Sequence, residues 1–499
     1  MQAACEELIM PDFIQIHPSD NVAVALKDIP KGTAFRQVIA SADIPRGHKM
    51  ALAEISPEDA VVKYGFSIGH ATETIHSGDW VHTHNMATNL SGETEYTYTP
   101  KITHLPPIAP GHFLGYRRKN GRAAIRNEIW IIPTVGCVND VAKNLARENQ
   151  DLVSGSIDGL YAFPHPFGCS QTGDDHAQTR KLLASLVKHP NAGAVLVLGL
   201  GCENLTMEQF WHELGEYDPE RIKFLVCQQV EDELSAGRKI LTECAAYAAQ
   251  FQREEIPASE LVVGMKCGGS DGLSGITANP VVGRFSDLLV SQGGSTVLTE
   301  VPEMFGAEGF LMDRCINEEV FDKAVAMING FKAYFIRHNE VVYDNPSPGN
   351  KDGGITTLED KSCGCVQKGG SAPITDVIGY GDQVVTKGLN MLYGPGNDLV
   401  SSTALTAAGA HLILFTTGRG TPFGAPAPTM KLATNTPLAN RKAGWIDFNA
   451  GIVADGSKTL DEAADDLMDL VLQVASGKQT KAEEKGFREI SIFKDGVVL

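Results

Sequence analysis

The sequence predicts an α/β protein: a small β-rich N-terminal unit, then a doubly wound, mostly parallel α/β region. Three observations carry this. Short alternating stretches broken by Gly and Pro turns fill the first ninety residues. From Gly111 the pattern becomes strand, loop, helix, repeated over about 150 residues. The strands there are near-continuous apolar runs, as in sheets covered on both faces.

In order, Ile14-Gln15-Ile16-His17 alternates and Asn21 to Leu26 is a short apolar run. Turns follow at Pro30-Lys31-Gly32, Pro45-Arg46-Gly47 and Ser77-Gly78-Asp79. Glu95 to Gly111 has little periodicity and four prolines, so it reads as a linker. Strands are expected at 128–135, 159–167, 192–200, 222–227 and 261–265, and helices at 138–147, 174–188, 230–254 and 280–291. A helix over 318–338, a buried strand at 411–415 and a closing helix over 460–476 complete the series. Asp344 to Gly370 is rich in Gly, Pro and Lys and reads as a long functional loop. No fixed-period repeat is evident. With 499 residues, at roughly 100–200 per domain, the expected units are 1–95, a linker 96–111, 112–258 and 259–499.

Lys plus Arg is 42 and Asp plus Glu is 61, a net charge of −19, which argues against a nucleic-acid groove. Local Arg or Lys clusters can still bind an anionic small molecule. No run of 18 apolar residues predicts a membrane span, and Met1 to Met10 lacks the basic start of a secretory signal. Ten cysteines in so long a chain read as reduced thiols in the cytoplasm. A small-molecule partner is expected, and a homo-oligomer is allowed.

Four cysteines, Cys137, Cys169, Cys202 and Cys267, each follow a proposed strand. In a doubly wound sheet those ends share one edge, where ligands bind. Asn139, Gln171, Glu203, Asp271 and Ser274 are their polar neighbours. Thiols packed under tight turns are the plain alternative to contact with substrate, ligation of iron or an oxygen-sensitive cluster. The spacing lacks the compactness of an ordinary zinc or iron–sulfur motif. Lys266-Cys267-Gly268-Gly269-Ser270-Asp271 combines proton carriers with glycines that let a backbone wrap a ligand, and it is not a P-loop. Arg419, between Gly418 and Gly420 and following Thr417, is placed to clamp a carboxylate. Asn350, Lys351, Lys361 and Lys368 lie in the long loop. His82 and His84 alternate on an expected strand and with His48 are candidates for a divalent metal. No GxGxxG fingerprint follows a strand, so no nucleotide cofactor is expected.

Several motifs in order then become recognisable: Gly47-His48-Lys49, Lys63-Tyr64-Gly65, Arg126-Asn127, Gly199-Leu200-Gly201-Cys202-Glu203, Cys267-Gly268-Gly269-Ser270-Asp271, Pro346-Ser347-Pro348-Gly349-Asn350-Lys351 and Phe415 to Pro422. Through them the sequence resembles the altronate/galactarate dehydratase family, hydro-lyases of sugar acids. The resemblance covers nearly the whole chain. It implies an N-terminal SAF-type β-clip domain, a large α/β catalytic region and dependence on a divalent metal, Fe2+ with Mn2+ as a substitute. His82-Thr83-His84-Asn85 looks like the altronate branch, which implies dehydration of D-altronate to 2-keto-3-deoxy-D-gluconate. Galactarate dehydration and sulfolactate sulfo-lysis are the rivals within the class. A non-catalytic sugar-acid-binding protein and a cysteine-dependent oxidoreductase or hydrolase are the rivals outside it.

That chemistry sets demands. The C2 proton is weakly acidic and its enolate needs a metal or cationic clamp. The C3 hydroxyl needs a proton or a Lewis acid to leave. The expected roles are Lys266 or Asp271 as base, with Glu203 and Cys202 as further catalytic candidates. Arg419, Asn139, Gln171, Gly268, Gly269, Ser270, Asn350, Lys351 and Thr417 are expected to bind substrate. His82, His84 and His48 are the expected metal ligands, with Cys137, Cys169, Cys202 and Cys267 as alternative iron ligands. The β-rich unit is expected to act as a lid that carries His82 and His84 to the sheet edge.

Overall fold

The computed structural model describes residues 12–90 and 92–499. The reading of Met1 to Met10, with Cys5, lies outside the described residues. The N-terminal unit contains three small antiparallel sheets. Phe13–Ile14, Val22–Ala25, Lys49–Ala51 and Trp80–Val81 form one; Ala60–Lys63, Phe66–Ala71 and Met86–Ala87 form the second; Ala34–Phe35 and Val38–Ile39 pair as the third. Four turns organise it, each opened by an isoleucine: Ile29, Ile44, Ile55 and Ile75. Ile29 bridges Ile44, and Ile55 bridges Ile75. Three residues after each isoleucine the backbone is left-handed, at Gly32 (φ 88°), Gly47 (84°), Glu58 (68°) and Gly78 (93°). This repeated turn is irregularly spaced, so a search for a fixed period misses it.

The rest is built on two separate parallel sheets. The smaller has strand order Gly159–Ala162, Glu128–Pro133, Ala192–Gly199, Ile222–Val226. The larger has seven strands, Ile374–Ile378, Gly388–Leu392, Ser295–Leu298, Val262–Cys267, Leu412–Thr417, Thr429–Ala433 and Phe448–Asn449. All neighbours in both are parallel. Ala192–Gly199 is buried at every residue, which explains its unbroken apolar run.

Two expectations are corrected. The helix expected over 230–254 is Glu233–Ala248, and Arg253–Pro257 is a strand. The exposed ladder of His112–Arg117 captures it, pairing His112 with Pro257 through Tyr116 with Arg253. The stretch 344–370 is not an open loop. It holds the helices Pro348–Asp352 and Leu358–Cys365, the second buried at all eight residues. Its polar composition suggested a loop because charge is normally excluded from cores; here ion pairs let it bury. The linker 92–111 has no regular structure, but its tyrosines anchor it. Tyr96 donates to Glu308 and Tyr98 to the Cys315 carbonyl.

Buried histidines lock the two sheet units together. His189 accepts from the Asn191 amide and donates to the Ala410 carbonyl (both 3.1 Å). His411 accepts from the Val262 amide and donates to the Ala123 carbonyl (both 2.9 Å). A third, His165, works within the smaller-sheet unit: it accepts from the Phe167 amide and donates to the Pro133 carbonyl. One acceptor and one donor nitrogen make each ring neutral. Burial pulls His165 and His411 down to about 4, and His189 well below its ordinary value. The unfolded chain therefore binds more protons between about pH 6.5 and 4, and stability falls as pH falls through that window, by about 1.4 kcal/mol per pH unit for each histidine that must charge. Urea midpoints measured from pH 7 to 4.5 should show this loss, with a shallower slope in His411→Gln. An unchanged slope in that variant would refute the assignment.

Candidate active site

The larger sheet changes winding direction at Val262–Cys267. The chain leaves it toward Ser295–Leu298 on one side, while Leu412–Thr417 lies on the other. A crevice for ligands opens where such strands end, and two expected segments meet there. Gly418 and Arg419 amides donate to the Gly269 carbonyl at 3.0 and 3.1 Å. Asn350 donates to the Ser270 carbonyl at 2.8 Å. A side chain at Gly268 would come within 2.6 Å of the Asp398 carboxylate, so glycine is required for that approach. The Asp271 carboxylate accepts from the Leu273 amide, Ser274, Thr434 and Asn435 (2.9–3.2 Å) and so staples its own loop to the one at 434–435. Burial raises its pKa. Thr417 accepts from the Gly420 amide, and exposed Arg419 reaches the Gly349 carbonyl at 3.2 Å. Lys351 is half-buried on the same rim.

Beneath this rim lies a buried charge cluster. Lys266 is fully buried and pairs with Asp398 (2.7 Å) and Glu300 (3.1 Å). Burial opposes its charge, but the two carboxylates override it and raise the pKa, so Lys266 is held as an ammonium. Lys368 contacts Glu300 at 3.1 Å and the Cys267 thiol at 3.0 Å, and Lys361 contacts Glu303 at 2.8 Å. Glu303 Oε2 lies 3.1 Å from both Cys267 and Cys365, whose sulfurs are 3.4 Å apart. Burial pushes Glu303 up, and Lys361 and Lys368 more than reverse this, down to about 2. Among the described residues, Cys267, Glu303 and Cys365 are the one trio of thiol, carboxylate or imidazole groups with ligand atoms all within 4.8 Å. Glu300, whose backbone is left-handed at φ 71°, accepts from the Cys267 amide at 2.9 Å.

The N-terminal unit docks directly onto this edge. Three glycines interlock there. A Cβ on Gly272 would fall 2.0 Å from the Gly47 carbonyl, and one on Gly354 2.3 Å from the same oxygen. Lys49 and Lys63 reach into the catalytic region and share Asp360 at 2.8 and 2.9 Å, all three side chains at most 2% exposed. Burial opposes the Asp360 charge, but the two ammoniums override it and hold the carboxyl well below the usual carboxylate range. Burial brings Lys49 down to about 8.

The histidines come close to the edge but not on a strand. His82-Thr83-His84-Asn85 is a turn, closed by the Asn85 amide on the His82 carbonyl. Asn85 prefers that turn because its side chain also accepts from the His82 amide. His48, His82 and His84 surround Trp80, with ring centroids 5.2–5.5 Å from the indole. His48 accepts from the Trp80 indole N–H and faces the Asp352 carbonyl at 3.3 Å, so both its nitrogens are engaged. His82 is half-buried and its Nδ1 has no partner. Burial, with Lys49 and His48 nearby, lowers its pKa to about 4 and keeps the ring neutral.

The remaining expected residues lie elsewhere. Cys137, Cys169, Cys202, Asn139, Gln171 and Glu203 belong to the edge of the smaller sheet, so the four strand-end cysteines do not form one set. Cys267 is the last residue of a strand of the other sheet, and its sulfur neighbour is Cys365. Glu203 accepts from Thr134 and from the Leu200 and Gly201 amides. Burial opposes its charge, but these bonds keep its pKa low. Sequence reasoning missed Glu300, Glu303, Asp360, Asp398, Lys49 and Lys63 as site residues. The one usable signal was Cys363-Gly364-Cys365 inside a lysine-rich stretch.

Removing Asp360 leaves two buried ammoniums without their carboxylate, a loss of about 3–5 kcal/mol. Asp360→Asn should therefore lower the melting temperature and make the chain cleavable between residues 90 and 111 in limited proteolysis. A variant as stable and protease-resistant as the parent would remove the pair's structural importance.

Family models match along the chain in order: the altronate/galactarate dehydratase SAF domain over 11–89, the D-galactarate dehydratase/altronate hydrolase second domain over 115–249, and the D-galactarate/altronate dehydratase C-terminal region over 258–498. The chain is 52% identical to an altronate dehydratase of Bacillus subtilis, covering 98% of this chain and all of that one. It is 51% identical to an altronate dehydratase of Escherichia coli, with the same coverage. Its identity to a galactarate dehydratase (L-threo-forming) of Escherichia coli is 34%, over 97% of each. A β-rich unit docked by buried lysines onto a two-sheet α/β body, matched over its whole length in this way, makes the chain a member of the altronate/galactarate dehydratase family.

Proposed function

We propose that this hydro-lyase dehydrates D-altronate to 2-keto-3-deoxy-D-gluconate and water. The observation that carries the substrate is the gap between 51–52% identity to two altronate dehydratases and 34% to a galactarate dehydratase, each over nearly the full length. Free thiols throughout the described residues support a reducing, cytoplasmic setting. No helix among them is long and apolar enough to cross a membrane.

Two thiols and a carboxylate form a mixed soft and hard donor set, which suits iron(II) and also accepts manganese. Cys267, Glu303 and Cys365 would hold such an ion, which supplies Lewis-acid stabilisation of charge on a substrate oxygen. The chain's own groups do the rest. Arg419 and Lys351 on the rim receive the substrate carboxylate, and Gly268, Gly269 and Ser270 let the backbone approach it. The buried ammoniums of Lys266, Lys361 and Lys368, each fixed by a carboxylate, present preorganised dipoles to the developing enolate. Lys266, held protonated by Glu300 and Asp398, is an electrostatic group here rather than the base, and Asp271 is the staple of the loops. His82 is neutral and half-buried; its Nδ1 is turned inward, and its Nε2 is the atom suited to take the C2 proton.

Anaerobic turnover of D-altronate after chelation and iron(II) restoration tests this. The expected result is 2-keto acid formation restored by iron and at least tenfold faster with altronate than with galactarate. Faster turnover of galactarate would move the substrate, and turnover unaffected by chelation would end the metal's role. His82→Asn should lower kcat by about 10²–10⁴-fold with little change in KM; a change in KM alone would make His82 a binding residue.

A further inference from the structure

We propose that the smaller sheet holds a second metal centre, a cuboidal iron–sulfur cluster bound by Cys137, Cys169 and Cys202. Cys169, Cys137 and Cys202 follow, respectively, three strands that lie side by side in the sheet: Gly159–Ala162, Glu128–Pro133 and Ala192–Gly199. All three are free and exposed. That distinguishes them from Cys244, Cys315 and Cys363, which are buried and act as small apolar groups. Exposed thiols brought to one edge by three separate loops serve no packing purpose.

The loops that carry them are tied to each other. The Gly136 amide donates to the Phe167 carbonyl at 2.8 Å, and the Leu205 amide to the Gly168 carbonyl at 3.1 Å. The Ser170 amide donates to the Asn204 side chain at 2.7 Å, and Asn139 exchanges hydrogen bonds with the His165 backbone. A glycine precedes each cysteine. At Gly168 (φ 99°) a Cβ would lie 1.9 Å from the Thr134 carbonyl, and Gly201 is also left-handed (φ 126°). Ser170, a non-glycine beside Cys169, has φ 56°. Such conformations cost energy and persist where surrounding structure fixes them, commonly at ligand sites. The thiols are thus presented by a preformed frame.

The frame suits a cluster better than a single ion. The three sulfurs do not all fall within 4.8 Å of one another, so one ion cannot reach all three as they stand. A cluster takes one thiolate on each of several irons. Three thiolates leave one iron of a four-iron cube without a protein ligand. Glu203 does not fill it, because its oxygens are engaged by Thr134, Leu200 and Gly201. That iron is open to an oxygen ligand such as a hydroxy-acid carboxylate or hydroxyl. Gln171 is 2% exposed and its Nε2 has no partner, while its Oε1 accepts from the Gly168 amide next to Cys169. An amide held there is a donor for an inorganic sulfide. The helices Asn139–Glu148, Gly173–Val187 and Met207–Leu214 begin just after the three loops, and their N-termini favour the cluster's negative charge.

The test uses the full chain, incubated anaerobically with ferric ion, inorganic sulfide and an excess of thiol, which supplies the two electrons that four ferric ions and four sulfides need to form the cube, then desalted. The expected result is a broad visible absorbance with about four irons and four sulfides per chain. Cys137→Ser, Cys169→Ser and Cys202→Ser should each lose at least half the bound sulfide and keep the parent's circular dichroism, because the thiols are exposed. Cys227→Ser and the double variant Cys267→Ser/Cys365→Ser should keep the cluster. Iron bound without sulfide, no iron bound by the parent, or an unchanged signal in the triple serine variant would each overturn the proposal. The outcome is independent of the substrate assignment: a cluster that forms without altronate turnover touches only the substrate, and turnover without sulfide binding touches only the cluster.

Discussion

One buried carboxylate ties this molecule together. Asp360 lies on a helix that is wholly inside the protein, and its two cationic partners come from a different domain about 300 residues earlier in the chain. A charge so placed must be paired, since an unpaired one costs several kcal/mol. The pairing therefore fixes the docking of the N-terminal unit. It also sets the depth at which the Gly47 turn meets Gly272 and Gly354, and so where Trp80 and the histidines sit. A small apolar cluster of Val24 and Leu26 against Leu273 and Ile276 closes the same interface.

The same economy of charge runs through the larger sheet. Lys266, Lys361 and Lys368 are matched by Asp398, Glu300 and Glu303, and the thiols of Cys267 and Cys365 sit in the middle of the set. Each partner holds the next in its charged state, so the cluster is a fixed dipolar environment rather than a pool of titrating groups. A preorganised field of this kind needs no reorganisation when charge develops on a bound acid. The smaller sheet is different. Its edge carries exposed thiols on stiff loops and one locked carboxylate, with no buried ammonium network. Two parallel sheets in one chain thus offer two chemically distinct edges, joined at their opposite ends by neutral histidines.

Much of the fold was legible because it follows local rules. Ala192–Gly199 is a strand whose composition matches burial on both sides, and Leu460–Ala475 is an amphipathic helix with a complete capping box at Thr459 and Glu462. The misreadings share one cause. Residues 253–257 became a strand because the backbone of 112–117 needed a partner. Residues 358–365 became a buried helix because Lys49, Lys63 and Thr88 arrive from far away to satisfy its acids. Local pattern carries no information about a distant partner. The site was legible in the same uneven way. Gly268 to Asp271 and Thr417 to Arg419 stood out by composition and do meet, whereas Glu300, Glu303 and Asp398 look like ordinary acids until the sheet order brings them to Cys267 and Lys266.

The sequence by itself determined most of the elements, the glycine-bearing loops at strand ends, the absence of a long apolar span and the family. Each depends on hydrophobic periodicity, turn chemistry or ordered motifs, which are properties of neighbouring residues. Only the tertiary structure decided that four strand-end cysteines belong to two sheets, that Cys365 rather than Cys202 stands beside Cys267, and that Lys266 is held as an ammonium. Those facts depend on strand order and on the balance between burial and paired charge. Both are set by contacts between segments hundreds of residues apart, which no local pattern encodes.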